Sequence, residues 1–333
     1  MGDVIQISLA DWHLFLEMVA AEMDVFTPVK INHHIDYKLF SSDSPIIYNH
    51  PLPVTPLKLF LLPAKENVVI SKSFHNKKLV VGVPSCDLQG LGLLDEIYLE
   101  EQYPDPKYKD NRENTILVGT DCHSIRENCH CTSYGIEPFP VSHADITLVS
   151  LDDSILLTLN TSRGEELISK YGMKLQVSKP AHEKLQKAEA RRHATKSMLK
   201  RQNGNLAGYE ATGDLIRNSA EEIWKRYSKT CVSCGACATI CPTCTCFLLI
   251  DRPGFDKVRQ LDACQYPGFE RIAAGEDPLH KKSVRFRNRY ICKYVWKPER
   301  FRSTACTGCG RCIDCCIGKI NKNEIFKELA AAV

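Results

Sequence analysis

The arrangement of cysteines constrains this chain more than any other feature of its sequence. Cys231 begins a run with the spacing C-x2-C-x2-C-x3-C, and Cys306 begins a second run with the same spacing. The chain has 17 cysteines among 333 residues, and thirteen of them lie in the window 231–316. Disulfide scaffolds are short secreted chains with a higher cysteine content. A chain of this length with clustered thiols therefore favours metal binding in a reducing compartment.

The doubled spacing is typical of proteins that bind two [4Fe–4S] clusters, in which the fourth cysteine of each run binds the cluster of the other run. The predicted ligands are, for one cluster, Cys231, Cys234, Cys237 and Cys316 and, for the other, Cys306, Cys309, Cys312 and Cys241. A pair of structural zinc sites is the alternative, but zinc motifs place C-x2-C units across a longer gap. Ile317 stands where the pattern has proline, and Cys315 adjoins Cys316, so the choice between these two thiols stays open.

Four further cysteines lie in the N-terminal half of the chain, close to the ends of predicted strands. They are Cys86, Cys122, Cys129 and Cys131. Loops that follow neighbouring strands can bring these thiols to one edge of a sheet, where four soft ligands suit either a third [4Fe–4S] cluster or a zinc ion. Spacing alone does not separate the two. His123 and His130 are close in sequence and can replace a thiol, although a loop histidine is ordinarily solvent-exposed.

Five cysteines remain outside these three sets. Cys244 and Cys246 form a C-x-C pair, which together with Cys264 can make an additional metal site or supply alternative ligands. Sequence reasoning leaves the role of these three open. Cys292 and Cys315 are interpreted as buried free thiols, because cysteine packs as a small hydrophobic residue.

A basic segment precedes the second cysteine run. Residues 280–302 contain nine Lys or Arg, one acidic residue and five interleaved aromatic residues. Such a segment can bind single-stranded nucleic acid. It can equally supply counter-charge to an anionic cluster or dock an acidic protein. The second interpretation is favoured beside so many thiols, and the net charge of only +3 gives no support for nucleic acid.

The predicted fold class is α+β. It comprises a mixed α/β domain at residues 1–160, a helical connector at 161–228 and a ferredoxin-like domain with two [4Fe–4S] clusters at 229–333. Apolar periodicity predicts helices over 9–23, 88–99, 181–202 and 214–229, with a glycine-containing break at 203–213. β-rich runs predict strands at 67–70, 78–83, 115–119, 145–151 and 154–159, the last two as a hairpin.

Other sequence signals are absent. The N-terminus lacks the basic and apolar regions of a signal peptide, and no apolar run is long enough to span a bilayer. The sequence therefore predicts a soluble, cytoplasmic protein. It contains no dinucleotide-binding or phosphate-binding glycine motif.

Several segments resemble one family of iron–sulfur proteins. They are CVSCGACATICPTCTCF, DACQYPGFERIAAGEDP, RFRNRYICKY, CTGCGRCIDCC, GVPSCDL and ENCHCTSYG. The family comprises the iron–sulfur subunits of anaerobic sulfite reductases and the beta subunits of archaeal-type sulfhydrogenases. The similarity covers most of residues 80–320. The sequence departs from the family at Cys292, where histidine is common, and at Ile317.

This resemblance implies three [4Fe–4S] clusters, the third of them held by Cys86, Cys122, Cys129 and Cys131. It also implies one partner subunit that carries FAD and takes electrons from NAD(P)H, and a second partner that holds the catalytic centre.

The main functional hypothesis is an electron-transfer subunit of a multi-subunit cytoplasmic oxidoreductase, of the sulfite or sulfur reductase or hydrogenase type. It has no catalytic residue of its own, and neither nucleic-acid binding nor membrane insertion is expected. One alternative is a catalytic sulfur or disulfide reductase that uses Cys244 and Cys246 at a substrate-binding cluster. Another is a zinc-stabilised nucleic-acid-binding module built on the basic segment. Low-potential clusters suit anaerobic chemistry.

Overall fold

The computed structural model describes residues 3–50, 52–69, 77–172, 174–254 and 256–332. In these residues the strands form two sheets, one of seven strands in the order β1-β8-β7-β6-β5-β2-β3 and one of three in the order β4-β10-β9. The strands are β1 (Val4–Ser8), β2 (Asp24–Ile31), β3 (His34–Leu39), β4 (Lys65–Asn67), β5 (Lys78–Pro84), β6 (Thr115–Thr120), β7 (Ile146–Ser150), β8 (Ser154–Leu159), β9 (Phe247–Arg252) and β10 (Asp256–Leu261).

Helices cover the larger sheet and make up most of the C-terminal part. They are α1 (Leu9–Ala20), α2 (Lys58–Leu61), α3 (Ser85–Tyr98), α4 (Pro106–Glu113), α5 (Ser162–Gly172), α6 (His182–Gln202), α7 (Tyr209–Arg217), α8 (Glu221–Ser228), α9 (Ala236–Thr239), α10 (Lys282–Ile291), α11 (Lys297–Phe301), α12 (Arg311–Asp314) and α13 (Lys322–Ala331). A 3-10 turn spans Cys131–Tyr134, and a π-helical turn spans Cys292–Trp296.

The centre of the larger sheet is parallel and fully covered. Strand β5 pairs in parallel with β2 and β6, and β6 pairs in parallel with β7. Parallel strands are buried on both faces, which explains the continuous apolar runs in β5 and β6. Helices α1 and α5 pack on one face around Trp12 and Phe15, and α3 packs on the other around Leu91.

A separate apolar core supports the C-terminal part. Helices α7, α8, α10 and α13 surround Trp224, Tyr290 and Phe326, and the π-helical turn contributes Tyr294. The rings of Tyr294 and Phe326 meet edge to face with centroids 4.8 Å apart. This aromatic core holds α10, which lies within the basic segment, against the segments that carry the cysteine runs.

Most of the predicted elements are confirmed. The predicted helices over 9–23, 88–99 and 181–202 correspond to α1, α3 and α6, and the predicted hairpin corresponds to the antiparallel pair β7 and β8. The mixed sheet-and-helix character of the fold class is confirmed as well. The division into three domains at residues 160 and 228 stays a prediction.

Two sequence predictions about local structure were only partly correct. The break predicted at 203–213 ends before Tyr209, where α7 begins, and the helix predicted over 214–229 is interrupted at 218–220, after which α8 begins at Glu221. Gly213 lies inside α7. A β-carbon there would sit 3.0 Å from the Tyr294 carbonyl oxygen, so glycine lets the two helical segments approach. The strand predicted at 67–70 is Lys65–Asn67, and Ile70 lies outside the described residues.

The small sheet and one cluster of ion pairs join the N-terminal half of the chain to the C-terminal half. Strand β4 pairs with β10, although the two are far apart along the chain. The buried guanidinium of Arg259 in β10 binds both Glu66 and Asp105. Among the described residues, no helix is both long enough and apolar enough to cross a membrane.

Candidate metal centres

The four N-terminal cysteines line one cavity at the edge of the larger sheet. Cys86 lies in the first turn of α3, directly after β5, and Cys122 follows β6 by two residues. Because β5 and β6 are parallel neighbours, their carboxyl ends meet at the same edge. Cys129 and Cys131 enter from the following loop, and Leu199 of α6 closes the side. We call this space the sheet-edge cavity; the structure thus brings together all four thiols of the predicted third set.

The thiols of the sheet-edge cavity are poor candidates for free thiolates. Burial raises the pKa of Cys86 and Cys122 well above the ordinary value and raises that of Cys131 to about 12. A bound metal reverses this tendency, because its positive charge deprotonates the coordinating thiols. Helix α6 and the residue that follows it also hold this loop, since the side-chain amides of Gln202 and Asn203 donate to the Cys129 carbonyl oxygen at 2.9 and 2.8 Å.

The two histidines near these cysteines do not line the sheet-edge cavity. The expectation of solvent exposure was wrong for His130, which is fully buried. Its Nδ1 lies 2.7 Å from the Asn128 carbonyl oxygen, and its Nε2 lies 2.7 Å from Nζ of Lys322. Burial and the Lys322 ammonium lower the pKa of His130 well below its ordinary value. The ring is therefore neutral, with Nδ1 donating to the carbonyl and Nε2 accepting from the lysine.

The cysteines predicted to bind the first cluster of the C-terminal pair line a second cavity, which we call the loop cavity. Its thiols are Cys231, Cys234, Cys237 and Cys316 of that set, together with Cys312 of the other set. The amide of Ile320 donates to Cys316 Sγ at 3.3 Å, as expected for a sulfur that is held in place by backbone donors. Cys315 is not part of the lining. The geometry therefore favours Cys316 over Cys315, a choice that spacing left open.

The second predicted dicluster set lies next to both cavities. Cys309 lines the sheet-edge cavity, and Cys312 lines the loop cavity. Lys293 connects the other two members of the set, since its Nζ lies 3.2 Å from Cys241 Sγ and 2.8 Å from the carbonyl oxygen of Ala305, the residue before Cys306. Burial raises the pKa of Cys309, and the nearby Cys241 and Cys312 add to the effect.

Four buried cations surround these cysteines. Lys58, Arg289, Lys293 and Lys322 are only 2% to 6% exposed. Arg289 donates to the Cys237 carbonyl oxygen at 3.2 Å, and Lys58 donates to the Cys244 carbonyl oxygen at 3.0 Å. Among the described residues, none of these four cations forms an ion pair with a carboxylate, and the ion pairs that are present involve other lysine and arginine side chains. A buried charge without a counter-charge costs several kcal/mol, so these cations need an anion that the carboxylates do not supply.

The neighbouring thiols affect the pKa values of two of these cations. Burial opposes the charge of Lys293, but Cys241, Cys244 and Cys306 outweigh it and raise the pKa of Lys293 well above its ordinary value. For Lys58, burial dominates and lowers the pKa, although Cys244 and Cys241 act in the opposite direction. The inward direction of Arg289 and Lys293 agrees with the interpretation of the basic segment as counter-charge for a cluster. Lys58 carried no sequence signal, since it lies far from the motifs along the chain, whereas Lys322 was missed although it follows Cys316 closely in sequence.

A buried ion pair fastens the second cysteine run to the N-terminal cysteines. Arg311 adjoins Cys312 and Asp87 adjoins Cys86, and both charged side chains are almost fully buried. The guanidinium binds both carboxylate oxygens, with Nη2 donating at 2.9 Å, and it also donates to the Pro53 carbonyl oxygen. Bidentate pairs of this kind fix orientation as well as distance.

Two glycines allow the same two segments to touch. Gly308 has φ of 65°, and a β-carbon there would lie 2.6 Å from the Cα of Cys131. Gly310 has φ of 79°, and its β-carbon would lie 2.5 Å from the Asn128 carbonyl oxygen. Only glycine combines this backbone conformation with such close backbone contact.

The donor chemistry fits iron–sulfur clusters. Within the described residues, no three His, Cys, Asp or Glu side chains are grouped around a point that a single metal ion can occupy. The cysteines instead line cavities, of which the loop cavity measures about 530 Å³ including its opening. Thiolate-only donor sets suit iron–sulfur clusters.

Comparison with known proteins agrees with this chemistry. Residues 230–320 match the 4Fe-4S dicluster domain. The chain is also 29% identical over 318 residues to sulfhydrogenase 2 subunit beta of Pyrococcus furiosus, an alignment that covers 92% of both chains. The present chain is thus similar to that protein over most of its length, and its residues 230–320 match a 4Fe-4S dicluster domain. The family resemblance seen in the sequence and the ferredoxin-like C-terminal part are thereby confirmed.

Proposed function

We propose that this chain is the iron–sulfur electron-transfer subunit of a multi-subunit cytoplasmic oxidoreductase. It relays electrons between a partner with FAD that uses NAD(P)H and a partner with the catalytic centre of a hydrogenase, sulfite reductase or sulfur reductase. The observation that carries the proposal is the set of buried cations, Lys58, Arg289, Lys293 and Lys322, that surround the cysteines and have no carboxylate partner among the described residues. Clusters bound by four thiolates are the anions that such a set stabilises.

Three [4Fe–4S] clusters are assigned on this basis. The first is bound by Cys231, Cys234, Cys237 and Cys316, the second by Cys306, Cys309, Cys312 and Cys241, and the third by Cys86, Cys122, Cys129 and Cys131. The positions of two thiols support an electron path that runs from the third cluster through the second to the first. Of the ligands of the second cluster, Cys309 lines the sheet-edge cavity and Cys312 lines the loop cavity. Each of these two thiolates lies between neighbouring clusters, so electrons pass along one continuous path.

One end of the path reaches the surface. Cys234 is exposed, and the apolar side chains of Val232 and Ile317 beside the loop cavity are 61% and 67% exposed. Exposed apolar groups next to a redox centre suit a docking surface for a protein partner. We place the contact with one electron-exchange partner here. That partner belongs to a complex like the sulfhydrogenase to which the Pyrococcus furiosus relative belongs by name.

The relay role is tested in the complete complex, purified anaerobically from native cells through a tag on this chain. The variant Cys312→Ser removes one thiol between two clusters, and Cys315→Ser is the matched control because Cys315 lies outside the loop cavity. Cys312→Ser should abolish transfer from NAD(P)H to the catalytic substrate. Dye reduction by the flavin partner and dye-linked turnover of the catalytic partner should both persist.

Two results would contradict the proposal. One is unchanged overall transfer in a Cys312→Ser complex whose iron content has fallen. The other is purification of the chain without any flavin-containing partner under conditions that preserve its clusters.

A further inference from the structure

A third cavity is lined by cysteines that the three clusters do not use. Its thiols are Cys244, Cys246, Cys264 and Cys292. The cavity measures about 310 Å³ including its opening, close to the 340 Å³ of the sheet-edge cavity. The interpretation of Cys292 as an isolated buried thiol is thus replaced by a position in a group of four.

Three separate segments bring these thiols together. Cys244 and Cys246 come directly before β9, and the backbone carbonyl of Cys246 accepts a hydrogen bond of 2.9 Å from the amide of Asp262. That bond places Cys246 beside the segment that contains Cys264. Cys292 begins the π-helical turn after α10. Single π-helical turns within helices are frequent at functional sites.

The cavity is strongly basic. Arg289, Lys293 and Lys297 line it at intervals of four residues along one side of the helix, and its described lining contains no carboxylate. Lys297 is held by the Thr243 carbonyl oxygen at 2.7 Å and the Thr245 hydroxyl at 3.2 Å. Three cations around four thiols match the negative charge of a metal centre with thiolate ligands.

We propose that this cavity holds an additional [4Fe–4S] cluster bound by Cys244, Cys246, Cys264 and Cys292. It lies outside the three clusters of the proposed relay. It adjoins the second of them, since Lys293 lines this cavity and its Nζ lies 3.2 Å from Cys241 Sγ. A cluster is favoured over a single ion because no three of these side chains converge on one point in the described residues.

The site is tested by metal analysis of the full chain, purified anaerobically, as the wild type and as Cys264→Ala, with Cys315→Ala as control. The wild type should exceed Cys264→Ala by about four irons and four acid-labile sulfides per chain, and Cys315→Ala should equal the wild type. This difference does not depend on the other clusters, so its absence would leave the three-cluster relay intact.

A second variant covers failure of Cys264→Ala to fold. Cys292→His should retain the wild-type iron content and raise the reduction potential of one cluster, because imidazole ligands in place of thiolates raise cluster potentials. Equal iron in the wild type and Cys264→Ala would overturn the proposal. The proposal would also be overturned if each wild-type chain held one zinc ion that is lost in Cys264→Ala or in Cys292→His. It would likewise be overturned if neither change altered the iron content or any cluster potential.

Discussion

Lys293 offers the sharpest test of the idea that buried cations balance anionic clusters. Its ammonium group is buried and lies 3.2 Å from Cys241 Sγ, with further bonds to Thr243 and to the Ala305 carbonyl oxygen. Replacing it by methionine keeps the volume and removes the charge. Because a nearby positive charge favours the reduced, more negative form of a cluster, Lys293→Met should lower the reduction potential of the second cluster.

The size of the shift follows from Coulomb's law. A unit charge about 6 Å from the added electron, at an effective dielectric constant of about 20, contributes about 3 kcal/mol. Since about 1.4 kcal/mol corresponds to about 59 mV for a one-electron couple, the potential should fall by about 120 mV. Salt should change this little, because buried charges are weakly screened.

Redox titration followed by electron paramagnetic resonance measures the shift. The exposed Lys281, which caps the start of the same helix, is the matched control. Lys281→Met should leave the potential unchanged because solvent screens an exposed charge. Lys293→Gln retains a hydrogen-bond donor without charge, so it should show a similar fall if charge is the cause. An unaltered or raised potential in Lys293→Met, with iron content equal to the wild type, would refute the reasoning.

Three further predictions concern stability. Arg311→Met leaves the Asp87 carboxylate buried without its partner and should destabilise the fold by about 3–5 kcal/mol, seen as a lower Tm; the double change with Asp87→Leu should recover much of it, and no recovery would contradict the pairing. Gly308→Ala should lower Tm and iron content because its β-carbon meets the Cys131 backbone, whereas Gly254→Ala, also at positive φ but with no atom within 4 Å, should retain its iron; equal iron losses would argue against the contact. Removing iron by oxidation and chelation should lower the Tm of the wild type because the buried cations lose their counter-charge, and an unchanged Tm would contradict that role.

The sequence predicted the parts of the candidate sites that depend on local spacing. The cysteine runs at 231–241 and 306–316 indicated cluster loops, and strand-ending positions indicated that Cys86 and Cys122 meet at a sheet edge. Both inferences rely on short-range backbone geometry. The start of α7 at Tyr209 was missed because the glycines at 203–213 were interpreted as a break, whereas Gly213 lies inside the helix, close to the Tyr294 carbonyl oxygen.

Long-range placement was beyond sequence reasoning. A lysine is ordinarily exposed, and nothing in the sequence around Lys58 distinguishes it from a surface lysine. Lys58 becomes part of the site only when strands and helices bring distant segments together. Lys322 follows Cys316 closely, but its burial and its contact with His130 depend on the fold. The same holds for Cys292, whose partners Cys244 and Cys264 come from other segments and meet it only in the folded chain.

Metal content tests the central claim most directly. Mössbauer spectroscopy together with iron, sulfide and zinc determination on the anaerobically purified chain measures both the number and the type of clusters. We expect that iron is present as [4Fe–4S] clusters and amounts to at least about twelve atoms per chain, four for each of the three clusters. Clearly fewer than about twelve irons per chain, or zinc in their place, would contradict the claim.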